Sequence, residues 1–165
     1  MTRRRYRKVV LGGTFDSLHK GHKRLIDTAF ELGDRVLLGL TTDRMLNAYP
    51  KTHATSSYAT RRDELIIYLR DRAFLSRVEI LPIDDPYGPT LTDEDIEALI
   101  ASRNTVLRAA EINRVRVGKG LKPLDLVVTE IVLAANGLPI STTRIRKETI
   151  DRDGLLRGTR RKPAQ

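Results

Sequence analysis

One short stretch limits what this chain can fold into. The apolar run Val9-Val10-Leu11 is followed by Gly12-Gly13-Thr14-Phe15-Asp16-Ser17-Leu18-His19-Lys20-Gly21-His22, and residues 23–32 then read as a helix. A strand that meets two glycines and then a helix has to turn sharply, and glycine enters such turns without a side-chain clash. This is the layout of a site for nucleotide phosphates, because a helix start presents backbone N–H groups and the positive end of the helix dipole. Two histidines three apart at that point can stabilise charge that builds up on a phosphate under attack. With three His and eleven Gly in 165 residues, His-x-Gly-His arises by chance in roughly one such chain in three hundred. The stretch therefore reads as a site.

The remaining pattern alternates strands with helices. Residues 23–32 place apolar side chains at 25, 26, 29, 30 and 32, and Gly33 is a fitting C-cap. Residues 35–41 form a second strand with little alternation, as expected for one buried on both faces. Residues 47–57 are a polar loop. Residues 58–74 read as a helix with Leu65, Ile66, Leu69 and Ala73 on one side, and 78–83 as a third strand. A loop of turn formers covers 84–89, and 98–101 make a short fourth strand. A helix over 105–118, a turn over 119–123 and a strand over 124–133 follow. After a turn at 136–139, Ser141 caps a last helix that fades after Ile150. The fold class is α/β, a single Rossmann-like doubly wound domain over 1–165 with a five-stranded parallel sheet. Ligands of such sheets bind outside the carboxyl ends of the strands, at the switch point.

A net charge of +9 suggests nucleic acid, but its distribution argues otherwise. Arg3, Arg4, Arg5, Arg7 and Lys8 lie at one end, Arg157, Arg160, Arg161 and Lys162 at the other, and neither end has an acidic residue. Residues 9–156 carry 21 basic and 21 acidic side chains. The excess belongs to two solvated basic tails, 1–8 and 157–165, with no aromatic platform or RNA-binding motif beside them. Nucleic acid is not an expected partner. The absence of Cys excludes a disulfide framework and a thiolate metal site. No apolar run approaches the roughly 20 residues that span a bilayer, and the basic start leads into a strand rather than a signal peptide. A soluble cytoplasmic protein is expected. The oligomeric state is not written in the sequence.

A second motif, Ile140-Ser141-Thr142-Thr143-Arg144-Ile145-Arg146, follows the last strong strand. Its hydroxyls offer an N-cap and further donors, and Arg supplies a forked cationic clamp for phosphate. Thr14-Phe15-Asp16-Ser17-Leu18-His19-Lys20-Gly21-His22 together with Ile140–Arg146 resembles the paired signature of the nucleotidylyltransferase superfamily, over nearly the whole chain. Within it, Lys119-Gly120-Leu121-Lys122-Pro123-Leu124, Tyr58-Ala59-Thr60-Arg61, the loop 84–90 and Asn113 resemble the archaeal and eukaryotic-type phosphopantetheine adenylyltransferases.

That resemblance implies transfer of AMP from ATP to 4′-phosphopantetheine, giving dephospho-coenzyme A and pyrophosphate in coenzyme A biosynthesis. A phosphate monoester is already mostly ionised near neutral pH, so the nucleophile needs no general base. Alignment and charge neutralisation would then carry catalysis. By resemblance, His22 stabilises the transition state and His19 binds the triphosphate. Thr14 meets both substrates, and Gly13 and the Phe15 backbone meet ATP. Lys51 grips the incoming phosphate, and Ser141, Thr142, Thr143 and Arg146 hold the ATP phosphates. Asp16 stiffens the turn. Mg²⁺ is expected between phosphates with few or no protein ligands.

One departure stands out. Relatives often carry an acidic pair after a Ser at the end of the fourth strand, where this chain has Ser102-Arg103-Asn104-Thr105, so the adenosine contacts stay open. Two other readings also stay open. A cytidylyltransferase for a small phosphate such as glycerol 3-phosphate shares both motifs, yet usually has an Arg-Thr-x-Gly run where this chain has Asn136-Gly137-Leu138-Pro139. Enzymes forming FAD or NAD are weaker rivals, and a class I aminoacyl-tRNA synthetase needs a longer chain. A nucleic-acid-binding module with an inactive nucleotide site is supported by the tails and opposed by the intact His19, His22 and Ser141–Arg146.

Overall fold

The computed structural model describes residues 3–158. In chain order these form β1 (Tyr6–Gly13), α1 (Lys20–Leu32), β2 (Gly33–Thr41), α2 (Asp43–Ala48), α3 (Tyr58–Asp71), β3 (Val78–Ile83), β4 (Ala98–Ser102), α4 (Val106–Gly118), β5 (Asp125–Thr129) and α5 (Thr142–Arg146). The five strands make one sheet in the order β3-β2-β1-β4-β5. Every pairing is parallel, as the alternation of strands and helices requires. The order reverses between β1 and β4, and the glycine turn at the end of β1 stands at that switch point.

Alternate side chains of the sheet enter different layers. Val9, Leu11, Val36, Leu38 and Leu40 pack under Ile26, Ala29 and Phe30 of α1 and Leu65 and Leu69 of α3. Val10, Leu37, Leu99 and Ala101 face Ala109 and Ile112 of α4. A third, small cluster of Ala134, Ile140 and Ile150 stands apart from both.

Gly33 does close α1, but not as a left-handed cap. Its φ of −108° is extended and it is the first residue of β2, so helix and strand join without a loop. Glycine is required for space: a Cβ there would lie 2.6 Å from Cγ2 of Val9. The helix end is closed by arginines instead. Arg77 Nη2 donates to the carbonyls of Phe30 (2.8 Å) and Gly33 (2.6 Å), and Arg4 Nε donates to that of Phe30 (2.8 Å).

Several expectations are corrected. The fifth strand ends at Thr129 rather than at residue 133. Beyond it Leu133 bridges Pro139, and Ala134 with its neighbours builds the small third cluster instead of extending the sheet. α5 ends at Arg146, because Glu148 takes a left-handed φ of 56° and Ile150 bridges Leu156. α3 stops at Asp71, leaving Ala73 exposed at φ 56° rather than on the packed stripe. α2 was not expected and overlaps the start of the polar loop. It is six residues long with none fully buried, too short to show a helical period, although Thr42 caps it through Met45 N–H.

The N-terminal stretch read as a tail is partly structural. β1 begins at Tyr6, Lys8 Nζ donates to Asp93 (2.6 Å) and Arg7 Nε to Glu97 (2.9 Å). Of the C-terminal tail, residues 159–165 lie outside the described residues. Among the described residues no helix is long and apolar enough to cross a membrane.

Gly33→Ala should lower unfolding free energy by about 1–3 kcal/mol through overpacking against Val9. Urea denaturation measures this, and an unchanged midpoint would contradict the close approach.

Candidate active site

The two motifs meet on one carboxylate. Asp16 is 1% exposed. Arg146 donates to it through Nη2 (2.8 Å, to Oδ1) and Nε (3.2 Å, to Oδ2), and the N–H of Ser56 donates to Oδ1 (3.1 Å). The hydroxyl of Thr142 donates to the Asp16 carbonyl (2.9 Å). Burial alone would push this carboxyl up, but the bonds from Arg146 and Ser56 hold it below the usual carboxylate range. Phe15 and Ser17, on either side, both adopt a left-handed φ of 49°. That conformation costs a non-glycine residue roughly 1–2 kcal/mol, and persists only where surrounding bonds over-determine it. The expectation that Asp16 stiffens its own turn describes part of its role: it also joins residues 130 positions apart.

The glycines have distinct tasks. A Cβ on Gly13 would lie 3.2 Å from the buried Phe15 ring, so glycine lets that ring tuck under the turn. A Cβ on Gly21 would lie 2.9 Å from Cε1 of His19. This explains the His-x-Gly-His spacing, because the His19 ring folds back over Gly21 to cap α1. Its Nδ1 accepts from the N–H groups of Gly21 (3.0 Å) and His22 (3.4 Å). In return Nδ1 of His22 accepts from the His19 N–H (3.4 Å). Lys20 N–H donates to the Arg152 carbonyl (3.1 Å).

One expectation is thereby reversed. The backbone donors at the start of α1 are occupied within the protein, so they are not the anion-binding groups. The donors that remain are on the rings. A ring nitrogen that accepts a backbone N–H carries no proton, so the single proton of each neutral imidazole is on Nε2. Among the described residues neither Nε2 has a protein partner, and no unpartnered side-chain polar atom is buried, so both reach the open face. The rings stack at 3.7 Å between centroids and 19° between planes, with Phe15 edge-on to His22 at 5.3 Å. Burial, then the charges of Arg152 and Lys23, push His19 down to about 4. Burial, then His19, push His22 down to about 3. Both are neutral donors at physiological pH.

A further organiser lies in the Tyr58-Ala59-Thr60-Arg61 run. Arg61 is 1% exposed at the start of α3. Its Nη1 donates to the carbonyls of Thr14 (2.9 Å) and Thr41 (2.8 Å), Nε to that of Ser56 (2.9 Å) and Nη2 to Asp43 (3.0 Å). It thus fixes the carboxyl ends of β1 and β2 and the end of the polar loop. Arg61, Leu65 and Leu69 lie four apart on one buried stripe, a signal available in the sequence. Asn113 is likewise structural, exchanging hydrogen bonds with the backbone N–H and carbonyl of Leu124 (2.7 and 2.8 Å).

The candidate residues are not all equally placed. Gly13, Thr14, Phe15, His19, His22 and the segment Ser141–Arg146 come together around Asp16. Within that group Ser141 Oγ accepts the Arg144 N–H (3.3 Å) as an N-cap, and Thr142 gives its hydroxyl proton to Asp16. The Thr142 hydroxyl therefore cannot also donate to a phosphate in this arrangement. Two arms of Arg146 are held by Asp16 and Ser56, leaving Nη1 without a partner among the described residues. Arg144 binds the turn before it through the carbonyls of Leu138 and Pro139. Lys51 stands exposed on the loop and, among the described residues, bonds to none of the others. Arg103 is exposed just past the carboxyl end of β4. Among the described residues no group of three or more His, Cys, Asp or Glu could hold a metal ion.

The model of the cytidylyltransferase-like family matches residues 10–148. A phosphopantetheine adenylyltransferase of Methanothermobacter thermautotrophicus is 42% identical over 154 residues, covering 93% of this chain and 92% of that one. The phosphopantetheine adenylyltransferase of Methanosarcina mazei is 44% identical over 153 residues, covering 91% and 97%. A crystal structure of a protein of unknown function from Archaeoglobus fulgidus superposes with a TM-score of 0.67 at 38% identity, covering 74% of this chain and 89% of that one.

The depressed histidines make stability fall with acid. Both rings are neutral in the fold, whereas the unfolded chain takes up protons below its ordinary value of 6.5. Stability is therefore fully present above pH 6.5 and declines as pH drops toward 4. Urea midpoints at pH 7.5 and 4.5 should show that loss, and His19 and His22 should stay neutral by NMR at pH 5.5. Titration of either ring near 6.5 would contradict the buried, neutral pair.

Proposed function

The chain belongs to the cytidylyltransferase-like family, and we propose that it transfers AMP from ATP to 4′-phosphopantetheine, giving dephospho-coenzyme A and pyrophosphate. The acceptor reading rests on relatives of that name at 42% and 44% identity over nearly their full length. The reaction type rests on the site itself. The observation that carries it is the stacked pair His19 and His22, whose tautomers are fixed by backbone N–H groups and whose Nε2 donors are free.

These donors suit displacement at phosphorus. The acceptor phosphate is already anionic, so no residue has to remove a proton from it. An oxygen of that phosphate attacks the α-phosphorus of ATP, the bond from that phosphorus to the bridging oxygen breaks, and pyrophosphate leaves. Negative charge rises on the α-phosphate oxygens in the process. In this reading the His22 Nε2–H hydrogen-bonds that charge, and the His19 Nε2–H binds the triphosphate. Preorganised donors of this kind need no reorientation at the moment of reaction. Gly13, Thr14 and the Phe15 backbone line the approach to ATP. Ser141, Thr143 and the free Nη1 of Arg146 take the outer phosphates, with the Thr142 hydroxyl joining only if the Asp16 carbonyl releases it. Lys51 closes on the acceptor phosphate by movement of its loop.

Mg²⁺ enters with ATP as part of the substrate. Asp16, the carboxylate at the centre of the site, is occupied by Arg146 and Ser56 and has no open side for a metal. The ion would be coordinated by the phosphates and water, neutralising their charge.

Pyrophosphate release should appear with ATP and 4′-phosphopantetheine, and not with CTP or with glycerol 3-phosphate, FMN or nicotinamide mononucleotide. Release only with CTP would overturn the acceptor and base together. His22→Ala should lower kcat by about 10²–10³-fold; an unchanged kcat would remove His22 from the chemistry.

A further inference from the structure

The C-terminal segment is docked through polar contacts. Among the described residues, every hydrogen bond between residues 132–158 and the earlier chain ends on Asp16, Lys20, Ser56 or Glu64. The segment has its own apolar cluster, Ala134, Ile140 and Ile150 with Val132 and Ile145 against it, separate from the two clusters of the sheet. Two ion pairs thus fasten it. The first, Arg146 to Asp16, lies inside the motifs. The second lies outside both: Arg152 Nη1 and Nη2 donate to Oε2 and Oε1 of Glu64, each at 3.1 Å.

This second pair brackets His19. The Leu18 N–H donates to Glu64 Oε2 (3.4 Å), and the Lys20 N–H donates to the Arg152 carbonyl (3.1 Å). The residues on both sides of His19 are therefore tied to the same two partners. Arg152 and Arg146, together with Ser17, line one open hollow beside the start of α1. An exposed ion pair contributes little stability. Its significance is geometric, since it sets where one half of the site stands relative to the other.

We propose that Glu64 and Arg152 are positioning residues for ATP binding: their bidentate pair docks the C-terminal segment so that Ser141–Arg146 face the histidine pair. Without it the segment docks only through Asp16, Ser56 and the Lys20 N–H, and the docked population falls. A ligand that touches both halves then binds with an affinity reduced by that population. Saturating ATP restores docking, so the loss shows in KM for ATP rather than in kcat.

The proposal rests on the reading that the chain uses ATP, and a charge-reversal cycle tests the two separately. Glu64→Arg and Arg152→Glu, each alone, should raise KM for ATP roughly 3- to 5-fold. They should leave kcat within about threefold and KM for 4′-phosphopantetheine within about twofold. The double variant should recover most of the loss, because the pair is rebuilt with its charges exchanged. An unchanged KM for ATP in either folded single variant, or a double variant no better than the singles, would overturn the assignment. Where a reversal does not fold, Glu64→Gln serves: a raised KM for ATP supports the proposal and an unchanged one defeats it. Should the wild type turn over no nucleotide, the functional reading fails while docking stays measurable. Glu64→Arg should then open residues 132–158 to trypsin, and unchanged protection would refute the docking role.

Discussion

The Asp16 carboxylate is the group on which the arrangement of the site depends. Its oxygens receive Arg146 from the C-terminal motif and the Ser56 N–H from the polar loop, and its carbonyl receives Thr142. The turn that carries it is held open by two left-handed residues, Phe15 and Ser17. A buried carboxylate stripped of these donors would carry an uncompensated charge, which is far more costly than the net value of the pair. Strain in the turn and satisfaction of the carboxylate therefore support one another. Arg61 repeats the logic with the opposite sign: a buried guanidinium fixes three carbonyls and one carboxylate at the ends of β1, β2 and the loop. Ser56 belongs to both systems, since its N–H binds Asp16 and its carbonyl binds Arg61.

From that frame the histidines acquire their chemistry. His19 replaces the usual Ser, Thr or Asp as N-cap of α1, and His22 completes a reciprocal capping box. Capping uses up the backbone donors that make helix starts attractive to anions, and moves the available donors outward to the two Nε2 atoms. Burial keeps both rings uncharged, so the site offers directed N–H groups rather than a cation. Such a site can stabilise charge in a displacement at phosphorus without taking or giving a proton.

Much of this was legible in the sequence, and what was not has identifiable reasons. The parallel sheet was readable because β1 and β2 are buried on both faces and so are nearly continuous apolar runs. The two motifs were readable because their residue types carry chemistry. The Asp16–Arg146 bond was not, because 130 residues separate its ends and no local pattern reports it. The fifth strand and last helix were drawn too long because apolar residues beyond 130 and Ile150 serve a small core of their own, which hydrophobicity alone cannot distinguish from sheet or helix. α2 is hidden for the opposite reason: six residues with none fully buried are too few to show a helical period. The basic N-terminus read as a tail because its partners, Glu97 and Asp93, lie 85 or more residues away.

The central claim is that the site acts on charge, with the acceptor phosphate attacking directly and no group of the protein becoming covalently attached to the nucleotide. The stereochemistry at the α-phosphorus tests it most directly. With ATP made chiral at that atom by sulfur substitution, one in-line displacement gives dephospho-coenzyme A of inverted configuration. Inversion is the predicted result; retention would reveal two displacements through an adenylylated residue and contradict the account.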